Sequence, residues 1–223
     1  MRDTESYWES PEKVDEFANR EADLRLLALI DSCENPERVR VLDLGCAGGR
    51  NASVLGERGF DFYAVDSSAA MVERTHVRVA AILGLEEAGR RVRQGRMDDL
   101  AGFDSESFDV IVALGIYHNA TSEEEFERSL SESARVLQPS GQLLVSSFSP
   151  RFQPKGEALR PVDGMLHVFD GFGAGLMYLL EAEELDLAMS RHGLLPSVAT
   201  ETVITRTDSG TRVTINGLYQ KGG

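Results

Sequence analysis

The 223 residues carry 37 acidic against 23 basic side chains, a formal charge of −14, and 42% of them are hydrophobic. Such a chain suits one domain, 1–223, with a sizeable core, and no Pro/Gly/Ser-rich linker divides it. The negative charge argues against nucleic acid and against anionic membrane surfaces as partners, because the one basic cluster (Arg90, Arg91, Arg93, Arg96) is short and lacks interleaved aromatic residues.

The N-terminus, MRDTESYWES, has no apolar core of a signal segment, and no apolar run approaches the roughly 20 residues that span a bilayer. A soluble, cytoplasmic protein is expected. Cys33 and Cys46 form neither a C-x-x-C pair nor metal-ligand spacing with the four histidines, so no metal site is expected.

Along the chain, Val14, Phe17, Ala18, Leu24, Leu27 and Ala28 recur at helical spacing, which predicts a helix over 12–33 within an N-terminal cap, 1–36, ended by Asn35-Pro36. A βα alternation follows. Strand 39–44 runs through Gly45, Gly48 and Gly49 into helix 50–57; strand 61–65 leads to helix 68–83; a short strand is placed at 91–95. The unbroken apolar run 108–115 reads as a strand covered on both faces. Helix 122–137, stopped by Pro139, strand 141–148 and helix 181–193, stopped by Gly193, complete the alternation. The last 30 residues change character: 197–207 and 211–220 are β-rich and joined by Asp208-Ser209-Gly210, a hairpin signal. The predicted fold is α/β, a Rossmann-like, doubly wound, mainly parallel seven-stranded sheet closed by a C-terminal antiparallel hairpin. Its ligand crevice should lie at the carboxyl ends of the central strands.

The glycine turn narrows the ligand. Counting from Gly45, a dinucleotide fingerprint would need glycine where Ala47 and Arg50 stand, and no lysine follows to make a P-loop. What the stretch does resemble is the first motif of class I S-adenosylmethionine-dependent methyltransferases, D-x-G-x-G-x-G, with Asp43, Gly45, Ala47 and Gly49 in its places. The resemblance covers nearly the whole chain. The family's strand-two acid matches Asp66 in AVDSSAAM, 91–115 resembles the third and fourth motif region, and ARVLQPSGQLLVSSF resembles the fifth strand with its preceding helix.

This resemblance implies S-adenosylmethionine as cofactor, with S-adenosylhomocysteine as product, and a binding set to match. Asp43, Gly45, Cys46, Ala47 and Gly49 would meet the methionine part, and Asp66 with Ser67 the ribose hydroxyls. Met71 would pack on the adenine, Met97 and Asp98 would meet its edge, and Leu114 would line the pocket; Arg20 would meet a carboxylate of cofactor or substrate. The chain departs from the pattern twice. Arg96 stands where the family's acid follows the third-strand glycine, which shifts the amino-group contact to Asp98. Ala47 replaces the middle glycine, with Gly48 beside it as the source of backbone freedom.

A sulfonium methyl is already activated, so the chemistry asks for an aligned acceptor about 3–3.5 Å away and exclusion of water. Tyr117 and His118 in GIYHNA are the candidates for orienting or deprotonating that acceptor. Tyr7 and Trp8, with Arg151, His167 and Phe169 in a 150–180 insertion read as a substrate lid, are the substrate-binding candidates, and Tyr7, Arg20, Tyr117, His118 and His167 are expected to converge near the methyl. The expected function is transfer of a methyl group to a small molecule by in-line displacement. A protein or RNA acceptor, or a non-catalytic S-adenosylmethionine-binding module, are the alternatives, and the oligomeric state is open, a homodimer included.

Overall fold

The computed structural model describes residues 7–156, 158–173, 175–208 and 210–222. Two short helices, α1 (Pro11–Ala18) and α2 (Leu24–Asp31), replace the single helix predicted over 12–33. Asn19 closes α1 in non-helical geometry, and the Asp23 carboxylate accepts the Arg25 N–H at 3.0 Å to start α2. The apolar period survives the break because each helix buries its own stripe, Ala18 in the first and Leu26 with Ile30 in the second.

The alternation then runs β1 (Arg40–Leu44), α3 (Arg50–Glu57), β2 (Asp61–Asp66), α4 (Ala69–Leu83), α5 (Leu85–Arg91), β3 (Val92–Gln94), β4 (Phe108–Leu114), α6 (Glu123–Val136) and β5 (Leu137–Phe148). These five strands are parallel in the order β3-β2-β1-β4-β5. Their side chains alternate between two apolar layers: Leu42, Ile111 and Leu143 face one way, Val41, Val112 and Leu144 the other. Because β2 lies on one side of β1 and β4 on the other, the chain's direction of winding reverses there, and a crevice opens above the ends of β1, β2 and β4.

The 150–180 insertion is not a plain loop. Its first strand, β6 (Gln153–Pro154), joins the main sheet, while β7 (Arg160–Pro161), β8 (Val168–Phe172) and β9 (Gly175–Tyr178) make a separate antiparallel sheet. After α7 (Ala182–Arg191), β10 (Leu194–Pro196), β11 (Glu201–Thr207) and β12 (Gly210–Lys221) close the main sheet, with β12 antiparallel to β5. All seven expected strands are present, the C-terminal hairpin as β11 and β12, and two unforeseen strands, β10 and β6, also pair with β12 to make nine; the continuous path is β10-β12-β5-β4-β1-β2-β3. No helix among the described residues is long and apolar enough to cross a membrane. The basic cluster foreseen at 90–96 is committed within the fold: Arg91 bonds Glu87 and Asp61, Arg90 bonds Glu87, Arg96 bonds Asp98, and Arg93 lies over Tyr63.

Candidate active site

Past Leu44 the chain reverses through Gly45, Ala47 and Gly49, all with positive φ (75°, 48° and 80°). The Gly45 and Cys46 N–H groups donate to the Val65 carbonyl at 2.8 and 3.0 Å, and the Thr75 hydroxyl donates to the Ala47 carbonyl at 2.6 Å. The turn is thus fixed to β2 and α4. A Cβ on Gly45 would lie 2.9 Å from Ile116, so this glycine is required twice, by its φ and by close approach. Gly48 has a different purpose from the one read in the sequence. Its φ is not positive; a Cβ there would lie 2.5 Å from the Ala18 Cα, so its bareness makes room for α1 to seat on the turn. Ala47 itself holds a strained left-handed conformation, and Ala47→Gly is expected to stabilise the fold by up to about 1 kcal/mol, read as a raised urea midpoint at unchanged slope.

The turn forms one wall of a crevice of about 560 Å³ at the strand ends. The opposite wall comes from Gly95, Arg96, Met97 and Asp98 and from Leu114 to Ile116, while Trp8, Glu9 and Phe17 of the N-terminal segment roof it. Asp66 closes β2 at its rim. Its Oδ2 accepts the Ala47 N–H at 2.8 Å and its Oδ1 accepts the Ser68 N–H at 3.0 Å, so two backbone bonds lock the carboxylate and leave each oxygen a second lone pair. Burial pushes its pKa up, against those two bonds.

Residues 42–145 match the family model described as a methyltransferase domain. Over that stretch, just under half of its length, the chain is similar to methyltransferase domains. Among curated proteins it is 33% identical to the ubiquinone biosynthesis O-methyltransferase of Azorhizobium caulinodans over 113 residues, 50% of this chain and 41% of that one. The alignments span less than two thirds of the length of the curated relatives the chain matches. In fold, it resembles a chain of the complex between the Haloferax volcanii Trm112 methyltransferase activator and a methyltransferase (TM-score 0.69, 18% identity, 100% of both chains). It also resembles the Burkholderia thailandensis 1,6-didemethyltoxoflavin-N1-methyltransferase, solved with that compound and S-adenosylhomocysteine (TM-score 0.62, 18% identity, 94% of this chain and 78% of that one).

Of the residues singled out in the sequence, Gly45, Cys46, Ala47, Asp66, Ser67, Met71, Met97, Asp98, Leu114 and Trp8 line the crevice. Asp98 reaches the wall with its carboxylate already committed: Oδ1 accepts Arg96 Nε at 2.8 Å, Oδ2 accepts Arg128, and the side chain is 1% exposed. Burial opposes ionisation there, yet the two guanidinium groups hold the carboxyl below its ordinary range. Arg96, also bonded to Glu125 at 2.8 Å, and Met97 are therefore what this stretch presents to a ligand.

The other residues lie elsewhere. Gly49 serves the turn behind the wall, its Cβ position 3.0 Å from Thr75. Asp43 is 1% exposed beneath the turn, with Oδ2 unpartnered and its pKa pushed up to about 7 by burial. The expected acceptor-site pair turns inward. Tyr117 is fully buried and donates its hydroxyl to Ser133 at 2.7 Å; His118 is 5% exposed, stacks 4.4 Å from Phe148 and accepts the Phe148 N–H on Nδ1. Burial lowers the His118 pKa to about 3 and leaves a neutral ring. On the short 3₁₀ turn 117–119, it is Ile116 and Asn119 that face the crevice. Tyr117→Phe is therefore expected to cost about 1 kcal/mol of stability and leave methyl transfer intact, to be checked by denaturation and initial rates side by side.

The convergence expected of Tyr7, Arg20, Tyr117, His118 and His167 does not occur. Arg20 pairs with Glu16 on α1 and lies over Phe17, His167 sits 3.9 Å from Glu184, and Arg151 pairs with Glu181 at 3.3 Å. Tyr7 and Phe169 pack with Trp8 against Met177 and Leu179. The insertion thus packs behind Tyr7 and Trp8, and none of its described residues lines the crevice. Several crevice residues escaped the sequence reading, among them Glu9, Asn51, Asn119, Thr121, Glu125 and Arg50. Arg50, the first residue of α3, faces the crevice with a single bond, to the Glu21 carbonyl at 3.3 Å, and no ion pair among the described residues. Burial draws its pKa down while Asp23 and Asp43 nearby support its charge.

Proposed function

We propose that the chain transfers the methyl group of S-adenosylmethionine to a small molecule. The observation that carries this reading is the roofed crevice of about 560 Å³, in which the glycine turn and Asp66 stand at one end and Trp8, Glu9 and Phe17 close the top. Small ligands are bound in partly apolar clefts of this size. The relative from Azorhizobium caulinodans and the toxoflavin methyltransferase, both named for small acceptors, support the same reading.

The cofactor fits the residues present. Asp66 keeps lone pairs for two ribose hydroxyls, Gly45 keeps the backbone bare where a side chain would meet Ile116, and Met71 offers a polarisable face. When bound, the cofactor supplies an activated sulfonium methyl. The chain's part is geometry: the turn and Asp66 orient, Arg50 takes a carboxylate in place of the paired Arg20, and Trp8 with Phe17 exclude water. No histidine or lysine lines the crevice among the described residues; its titratable acids are Glu9, Asp66, Asp98 and Glu125.

The test is binding followed by turnover. S-adenosylhomocysteine should raise the melting temperature by mass action while NAD and NADP leave it unchanged, and radiolabelled S-adenosylmethionine should label small phenols, amines or heterocycles in preference to peptides or RNA. Stabilisation by NAD alone, or label appearing only in macromolecules, would overturn it.

A further inference from the structure

The N-terminal segment does more than cover the crevice. Glu9, exposed to it, grips the start of α4: Oε1 accepts the Ala69 N–H at 2.7 Å and Oε2 accepts the Ala70 N–H at 3.2 Å. The neighbouring Ser68 hydroxyl is 3.3 Å from the Trp8 carbonyl, and Ala18 rests on Gly48. Three contacts therefore hold this strap to the two loops that flank Asp66. Glu9 and Asp66 line the same crevice, close enough that the Glu9 charge acts on the Asp66 carboxyl. Both carboxylates accept one backbone N–H on each oxygen, and both have lone pairs to spare.

We propose that Glu9 is a second ribose-reading carboxylate, carried by the strap, so that the cofactor's vicinal hydroxyls bridge Asp66 and Glu9 and lock the roof shut. The inference rests on the crevice holding S-adenosylmethionine. Without a ligand, two like charges share one rim and favour a lifted strap. A diol that donates one hydrogen to each carboxylate turns that repulsion into a bridge. Coupling is reciprocal: the factor by which Glu9 tightens the cofactor is the factor by which the cofactor tightens the strap. Cofactor would then enter with the strap raised, and acceptor would meet a site assembled only around bound cofactor.

The strap carries its own reporter, because Trp8 is the chain's single tryptophan. S-adenosylhomocysteine and its 2′-deoxy and 3′-deoxy analogues are titrated into the full chain and into Glu9→Gln, with heat and Trp8 emission recorded together. The expected results are a shift of Trp8 emission on binding and a roughly five- to twentyfold loss of affinity in Glu9→Gln for the intact ribose. One of the deoxy analogues, lacking the hydroxyl that Glu9 reads, should bind both proteins alike. Equal affinity of the two proteins for every ligand, an equal loss across all three ligands, or silent Trp8 emission would each overturn the proposal. A Glu9→Asp variant, keeping charge with shorter reach, should fall between. No binding of S-adenosylhomocysteine to the unaltered chain would instead remove the cofactor reading on which the proposal rests.

Discussion

Replacing Asp66 with alanine is expected to weaken S-adenosylhomocysteine binding by 1–3 kcal/mol, about five- to a hundredfold, in a protein that still folds. Two losses add in that figure. The ribose hydroxyls lose an acceptor, and the Ala47 and Ser68 N–H groups lose the oxygens that fix the turn and the start of α4. Asp66→Asn separates them, since its amide oxygen keeps one of these bonds and its NH₂ cannot accept the other. Titration calorimetry on both variants should therefore rank unaltered chain, Asn and Ala in falling order. Unchanged affinity in a folded Asp66→Ala protein would remove the ribose site from this rim.

The second large effect is expected at Arg50. A half-buried guanidinium with one carbonyl bond and no ion pair among the described residues has room for an anion, and a ligand carboxylate at the crevice would supply it. Arg50→Gln should cost S-adenosylhomocysteine about 1.5–3 kcal/mol, the range for hydrogen bonds to charged groups. It should leave 5′-methylthioadenosine, which has the same nucleoside and no amino-acid group, bound as before. Arg20→Gln, removing a cation already paired with Glu16, should change neither ligand. Equal losses for both ligands in Arg50→Gln would mean that Arg50 supports the turn and reads no carboxylate.

The contrast between those arginines shows where sequence reading stops. The fold was legible because a parallel sheet covered on both faces writes unbroken apolar runs such as 108–114 and spaces its loops by one helix and one strand, as Gly49 and Asp66 are spaced. Most residues expected on the cofactor side line the crevice, since they sit on the backbone of that frame. Of those expected on the acceptor side few do, because there a rotation of one position decides which side chain faces the crevice. On the 3₁₀ turn, Tyr117 and His118 point into the core while Ile116 and Asn119 flank the crevice, and composition cannot tell these apart. Gly48 was misread for the same reason: what it accommodates, Ala18, is 30 residues away and meets it only in three dimensions. The pairing of Arg20 was foreseeable. Glu16 lies in the last turn of α1 and Arg20 just past its cap, four residues on, close to the spacing at which charges pair along a helix surface.

Two buried groups, Asp43 and His118, also make the molecule a proton exchanger whose entries nearly cancel. The Asp43 carboxyl titrates near pH 7 when folded and near 3.9 when unfolded, so between those values folding takes up a proton there and stability falls as pH rises. The His118 ring titrates near pH 3 when folded and near 6.5 when unfolded, so folding releases a proton and stability rises with pH. From about pH 4 to 6.5 the slopes of these two groups oppose each other, so each hides the other's contribution. Removing either member should expose the other. Across pH 4.5 to 6, Asp43→Asn should become steadily more stable relative to the unaltered chain as pH rises, and His118→Gln steadily less, in urea midpoints of opposite slope.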